Sequence, residues 1–156
     1  MKTFSYLLII QIILVFGACS GIPQSVVYQQ QYFPDGIDDI YLGMAFSYLE
    51  KTRETTQLEP IEDSDSTRLV FKEVRPGNEF ESITYYVSNS RNQIMYEMSI
   101  DYPEGVDMMA KTLDMYGETN SDGGEWFFET PEGFGLTIWK EPGKIFISAR
   151  ELKESP

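Results

Sequence analysis

The chain has 156 residues, 42% of them hydrophobic, which suits one domain with an ordinary core and is too little for two. A formal net charge of -13 sets it against phosphate backbones and anionic lipid surfaces, so no nucleic-acid partner is expected, while a cationic partner stays open. With no histidine and one cysteine, Ser-His-Asp and Cys-His catalysis, His-ligated zinc and an intrachain disulfide are excluded.

Residues 1–21 read MKTFSYLLIIQIILVFGACSG. Lys2 supplies a positive start, Phe4 to Phe16 is apolar apart from Ser5, Tyr6 and Gln11, and small residues precede Cys19. These are the parts of a secretory signal, with an apolar run shorter than the ~20 residues of a permanent membrane span. Phe16-Gly17-Ala18-Cys19 resembles a bacterial lipobox, with Phe16 in place of the usual Leu. The resemblance implies cleavage between Ala18 and Cys19 and a diacylglyceryl group on the Cys19 sulfur. It also implies further acylation, such as palmitate, on the new amine. Two or three acyl chains give stable anchoring where one is marginal. Ser20 stands where an Asp would favour inner-membrane retention in enteric bacteria, which points to the outer membrane. A plain secretory signal and an uncleaved anchor are the alternatives.

Residues 20–36 hold Pro23, Pro34, Gly21, Gly36 and four Gln without a persistent period, and read as a tether, partly ordered near Tyr32-Phe33. From about Ile37 the pattern becomes regular. Ser47-Tyr48-Leu49-Glu50 fits a capping box, which predicts a turn at Gly43-Met44 and a helix over Tyr48–Thr55. One longer helix from Ile37 is the alternative. Residues 57–66 read as an acidic loop. Strands are predicted over Thr67–Val74, Glu81–Val87 and Gln93–Tyr102. In the last, Ile94, Tyr96, Met98, Ile100 and Tyr102 alternate with Met95, Glu97, Ser99 and Asp101.

Pro103 ends that strand. A second helix is predicted from Gly105 to Tyr116, with Val106, Met109, Ala110, Leu113 and Tyr116 on its apolar stripe and Gly117 as the glycine beyond its end. Three more strands are predicted over Glu125–Thr130, Phe134–Lys140 and Lys144–Arg150. Tight turns at Pro131-Glu132-Gly133 and Glu141-Pro142-Gly143 join them. The order is α-β-β-β, twice. Residues 82–86 align with 135–139, and residues 93–96 with 144–147. The expected fold is therefore α+β, with two α-β-β-β units sharing an antiparallel sheet and helices on one face. The expected divisions are a signal over 1–18, the lipidated cysteine and tether over 19–36, a domain over 37–150 and a polar tail over 151–156.

Ile40-Tyr41-Leu42-Gly43-Met44 before a short helix resembles the opening of small outer-membrane lipoproteins of the SmpA/BamE type. Met115-Tyr116-Gly117-Glu118-Thr119 is similar to their helix end, without its proline. Two tandem copies of their α-then-three-strand unit resemble the architecture of secreted β-lactamase inhibitor proteins. The resemblance implies a lipidated, protein-binding module without catalysis, and carries over no binding residue.

Asp35-Gly36-Ile37-Asp38-Asp39 and the acids of the 57–66 loop lack the spacing of a calcium loop and read as solvated, so no metal or cofactor is expected. No Walker loop, GxGxxG or GxSxG is present, and no enzyme is expected. The densest aromatic region holds Trp126, Phe127, Phe128, Phe134 and Trp139. Alternation puts Phe127 opposite Trp126 and Phe128, and Trp139 opposite Leu136 and Ile138. Some of these rings must then look away from the helices. Trp126, Phe127, Trp139 and Tyr86 are the candidate partner surface. The expected function is a membrane-anchored lipoprotein with a non-catalytic protein-binding domain, in envelope assembly or maintenance. The alternative is an acidic inhibitor or immunity-type lipoprotein that blocks a cationic enzyme.

Overall fold

The computed structural model describes residues 28–37, 39–53, 58–62, 64–75, 79–131, 133–149 and 151–152. The signal segment, the cleavage expected at Ala18 and the lipidation expected at Cys19 lie outside the described residues. Helix α1 (Phe46–Thr52) leads into β1 (Leu58–Pro60), β2 (Arg68–Val74), β3 (Ser82–Ser88) and β4 (Met95–Asp101). Helix α2 (Met108–Tyr116) then leads into β5 (Trp126–Glu129), β6 (Gly135–Glu141) and β7 (Lys144–Ser148). The strands make one antiparallel sheet in the order β1-β2-β3-β4-β7-β6-β5, so this is a mixed α/β protein.

The six predicted strands are present, each displaced by no more than two residues at an end. β1 lies inside the stretch expected to be an acidic loop. Three residues with a Glu and a Pro carry no alternation. Pairing with β2, Leu58 to Glu73 and Pro60 to Phe71, makes them a strand. Pro60 suits an edge, where its missing donor leaves no ladder bond broken.

The interior lies on one face of the sheet. Ile83, Tyr85, Met98, Ile100, Ile145, Ile147, Leu136 and Ile138 are fully buried there. Phe46 of α1 stacks on Phe71 at 4.2 Å, and Tyr116 of α2 lies 5.4 Å from Trp126. Phe71 and Trp126 belong to the same face as that core, so both helices cover one side.

The first helix starts at Phe46 and not at Tyr48, and Ser47 does not cap it. Its start is set from outside the segment. Ala45 bridges Ile94, and the Phe46 N–H donates to the Gln93 carbonyl at 2.8 Å, so the β3–β4 loop supplies the cap. Gly43 does turn the chain, at φ 94.

The second helix starts at Met108, capped by Asp107, whose carboxylate accepts from the N–H groups of Met109 and Ala110 at 3.0 and 3.1 Å. Of its expected inward stripe Tyr116 does pack on the core, but Val106, Met109, Ala110 and Leu113 face outward. Met108 and Thr112 are buried, while Met109 is 61% exposed and Leu113 51%. Positions 108, 112 and 115 repeat at helical spacing as well as 106, 109 and 113 do. Thr112 loses little by burial because its hydroxyl donates to the Met108 carbonyl at 2.7 Å.

The tether expected to run to residue 36 ends earlier, because the chain from Tyr28 onward packs on the domain. The Gln29 side chain is buried and grips Leu42 at both backbone groups, accepting from its N–H at 2.8 Å and donating to its carbonyl at 3.2 Å. Phe33 and Ile37 enter the core, and Tyr32 stacks on Phe128 at 4.0 Å. At the other end, Leu152 packs on the core and Glu151 accepts from the Gly135 N–H at 3.1 Å, so the polar tail does not begin at 151.

A buried charge lies on the core face. Glu73 is 1% exposed, and its carboxylate accepts from Arg53 Nε at 2.8 Å, Arg75 Nε at 2.6 Å and the Tyr85 hydroxyl. Arg53 also holds Asp39 through both terminal nitrogens. Two cations and two anions cancel, and the hydrogen bonds offset the desolvation of the buried pair. Burial would raise the Asp39 carboxyl, but the Arg53 guanidinium outweighs it and holds the group below the usual range. Asp39 thus belongs to an ion network and not to a solvated acidic turn.

Candidate functional site

The face away from the helices can be read row by row from the register. One row runs Lys72, Thr84, Ser99, Phe146, Trp139 across β2, β3, β4, β7 and β6. The next runs Val70, Tyr86, Glu97, Ser148, Thr137, Phe127. Strands lie ~4.8 Å apart, so Tyr86 and Phe127, four steps from each other, span about 19 Å. That is wide enough for the centre of a protein contact and too shallow to enclose a small molecule.

Three of the four aromatic residues named from sequence share this face: Tyr86, Phe127 and Trp139. Trp126 does not. It is 3% exposed on the core side, and its indole N–H donates to the Gly117 carbonyl at 3.0 Å, closing the end of α2. Strand alternation settles the split, since Trp126 pairs with the buried Ile138 and Phe127 with Thr137.

Phe146 was missed from sequence and belongs with the three. It pairs directly with Trp139, and the rings stack at 4.9 Å with an interplanar angle of 3°. The signal was present in the two-residue Pro142-Gly143 hairpin, which sets Glu141 against Lys144 and therefore Trp139 against Phe146.

Phe127 is 49% exposed, and its ring lies over Gly135, where a Cβ would come within 2.4 Å of it. A glycine here gives the edge ring a backbone surface to rest on. The same residue is held from the side. Asn120 accepts from the Phe127 N–H at 2.7 Å and donates to the Phe127 carbonyl at 2.8 Å. One amide thus occupies the outward backbone groups of the edge strand, as a neighbouring strand would.

The opposite corner of the face is polar. Asp101 accepts from Lys144 at 2.9 Å and from Ser82 at 2.7 Å, with Lys72 4.0 Å away. Burial alone would raise its carboxyl, but Lys144 and Ser82 hold it below the ordinary range. A β-bulge opposite Tyr86 and Val87 breaks the expected alternation of β4. Met95 and Met98 both pair with core-facing residues, which leaves Tyr96 and Glu97 together on the side away from α1 and α2. Exposed Glu129 and Glu141 lie on this face as well, at the margin of the aromatic end.

The arrangement offers flat aromatic area, a small Ser and Thr floor and fixed charges at the rim. Among the described residues no three of Cys, Asp and Glu gather as a metal site. None of their helices is long and apolar enough to cross a membrane. No protein-family model, curated protein or solved structure matches this chain.

Proposed function

We propose that this chain is a lipid-anchored envelope protein whose domain binds another protein through the sheet face turned away from α1 and α2. It is lipidated at Cys19 after cleavage behind Ala18, sits in the outer membrane and acts in envelope assembly or maintenance without catalysis. The observation that carries the binding role is the gathering of Tyr86, Trp139, Phe146 and Phe127 on a face that neither helix covers. Aromatic rings of that kind anchor protein contacts. The anchor rests on the lipobox resemblance at the only cysteine.

In this reading the sheet is two α-β-β-β units that meet where β4 lies beside β7. The strand order supports it: each half ends in a central strand and runs outward in reverse. β1 has no counterpart in the second half.

A second reading, an acidic inhibitor of a cationic enzyme, is favoured by Glu129 and Glu141 beside Phe127 and Trp139. Immobilised full chain, wild type and Trp139→Ser, tests both when captured proteins are identified and eluted across a salt series. A partner lost with Trp139→Ser but held in 1 M salt fits assembly through apolar area. Release by a few hundred millimolar salt fits the inhibitor. A partner indifferent to Trp139→Ser removes the sheet face from both. Labelled palmitate still entering Cys19→Ser would overturn the anchor.

A further inference from the structure

Helix α2 turns its apolar stripe away from the core. Val106, Met109 and Leu113 are three of the six large hydrophobic side chains exposed among the described residues, and they lie on one side of the helix. Beside Met109 and Leu113 runs a groove of about 450 Å³, closed by Trp126, Gly117 and Lys140. At 100° per residue the other margin of the stripe carries exposed Asp107 and Asp114, while exposed Glu118, past the end of the helix, lines the groove itself.

We infer that this stripe and groove form a second docking site, for an amphipathic segment of a partner protein whose apolar residues are flanked by Lys or Arg. The charge decides the occupant. Three carboxylates stand against the ammonium of Lys140 and that of Lys111, which Glu79 already holds, and attract a cationic flank. The same acids, on a chain of net charge -13, repel a second copy of the protein and an anionic lipid surface. The shape agrees, since an apolar helix stripe bordered by a groove accepts anchors at i, i+3 and i+4 from an opposing helix. The site lies on the helix side, on the opposite face of the sheet from Tyr86 and Trp139, and does not depend on the sheet-face reading.

The test is fluorescence anisotropy of a labelled 18-residue Leu/Lys amphipathic helix titrated with the full chain. Binding is expected in the micromolar range, on the order of -8 kcal/mol. Met109→Ser and Leu113→Ser, each at an exposed position and checked by thermal melting, should weaken it at least tenfold. Asp114→Asn with Glu118→Gln should weaken it and flatten its salt dependence, while Lys140→Gln should leave it intact or tighten it. Phe127→Ser on the sheet face should change nothing. Failure of the peptide to bind overturns the inference, as does binding indifferent to both Met109→Ser and Leu113→Ser. Equal binding of an 18-residue helix with Glu in place of each Lys, or Leu113-dependent binding of phosphatidylglycerol vesicles instead, overturns it in favour of an anionic ligand or a lipid surface.

Discussion

The hydroxyl of Tyr85 donates to the carboxylate of Glu73 inside the core, in a place where the facing side chains are Ile83, Met98 and Phe71. Burial, followed by the neighbouring Glu73 charge, raises the Tyr85 hydroxyl far above the ordinary phenol range. Tyr85→Phe removes one of three donors to a carboxylate that is 1% exposed, and should cost about 1–3 kcal/mol by chemical denaturation. Arg53→Met should cost more, about 3–5 kcal/mol, because it removes the buried guanidinium from Glu73 and the ion-pair partner of Asp39 together. Equal losses would mean that the network does not depend on its guanidinium.

Acid should weaken the fold through Asp39 and Asp101. Both carboxyls are held below their ordinary value in the folded protein. Their contribution is therefore complete above the unfolded value of ~3.9 and is lost as pH falls through the lowered folded values. Stability measured from pH 6 downward should begin to drop near pH 4. In Asp39→Asn combined with Asp101→Asn the drop should be shallower, from a lower plateau.

Alkali acts through the buried phenols. Burial raises Tyr85, Tyr102 and Tyr116 well above ~10, and pushes Tyr32 up to about 12. For a raised group the stabilisation is complete below the unfolded value and lost as pH rises through the folded one. Phenolate absorbance should thus rise in two stages, an early one from exposed tyrosines and a late one coincident with loss of the far-ultraviolet sheet signal. A single non-cooperative rise would contradict the burial.

Gly135→Ala should disturb the edge of the sheet face without touching the core. The new methyl meets the Phe127 ring, so the ring must swing outward, at about 1–3 kcal/mol. Partner capture should fall with it. Unchanged stability and capture would show that Phe127 does not rest there.

Removing residues 1–27 and removing residues 1–36 should differ sharply in stability. The longer deletion takes Phe33 from the core and leaves the buried Leu42 N–H without its Gln29 acceptor. Loss of a buried Phe alone costs about 3–5 kcal/mol. Thermal melting of the two truncations decides it, with equal melting temperatures the adverse result.

Met98 is fully buried between Tyr85 and Ile147. Met98→Asp places an uncompensated carboxylate there and should cost at least ~4 kcal/mol. A native-like melt would mean that β4 presents its other side to the helices.

Six strands, their turns and the antiparallel sheet were legible because alternation and Gly, Pro and Asn turns act within a few residues. The split between Trp126 and Phe127 followed from the same rule, whereas the pairing of Trp139 with Phe146, which a two-residue hairpin at Pro142-Gly143 implies, was missed. What alternation could not give was which aromatic face the helices cover. That let Trp126 stand among the surface candidates until Tyr116 was found against it.

The remaining choices belonged to the tertiary structure. The faces of α2 are close to equal in apolar content, so helical periodicity alone did not choose between them, and the structure buries Met108 and Thr112 together with Tyr116, which meets Trp126 and Tyr32. The bulge in β4 appears only against β3. Residues 28–37 have no internal period and are ordered by the Leu42 backbone and the Phe128 ring. Local pattern fixes conformation along the chain, whereas the choice of face and the docking of aperiodic segments depend on contacts between residues far apart in sequence, which no window of neighbouring residues contains.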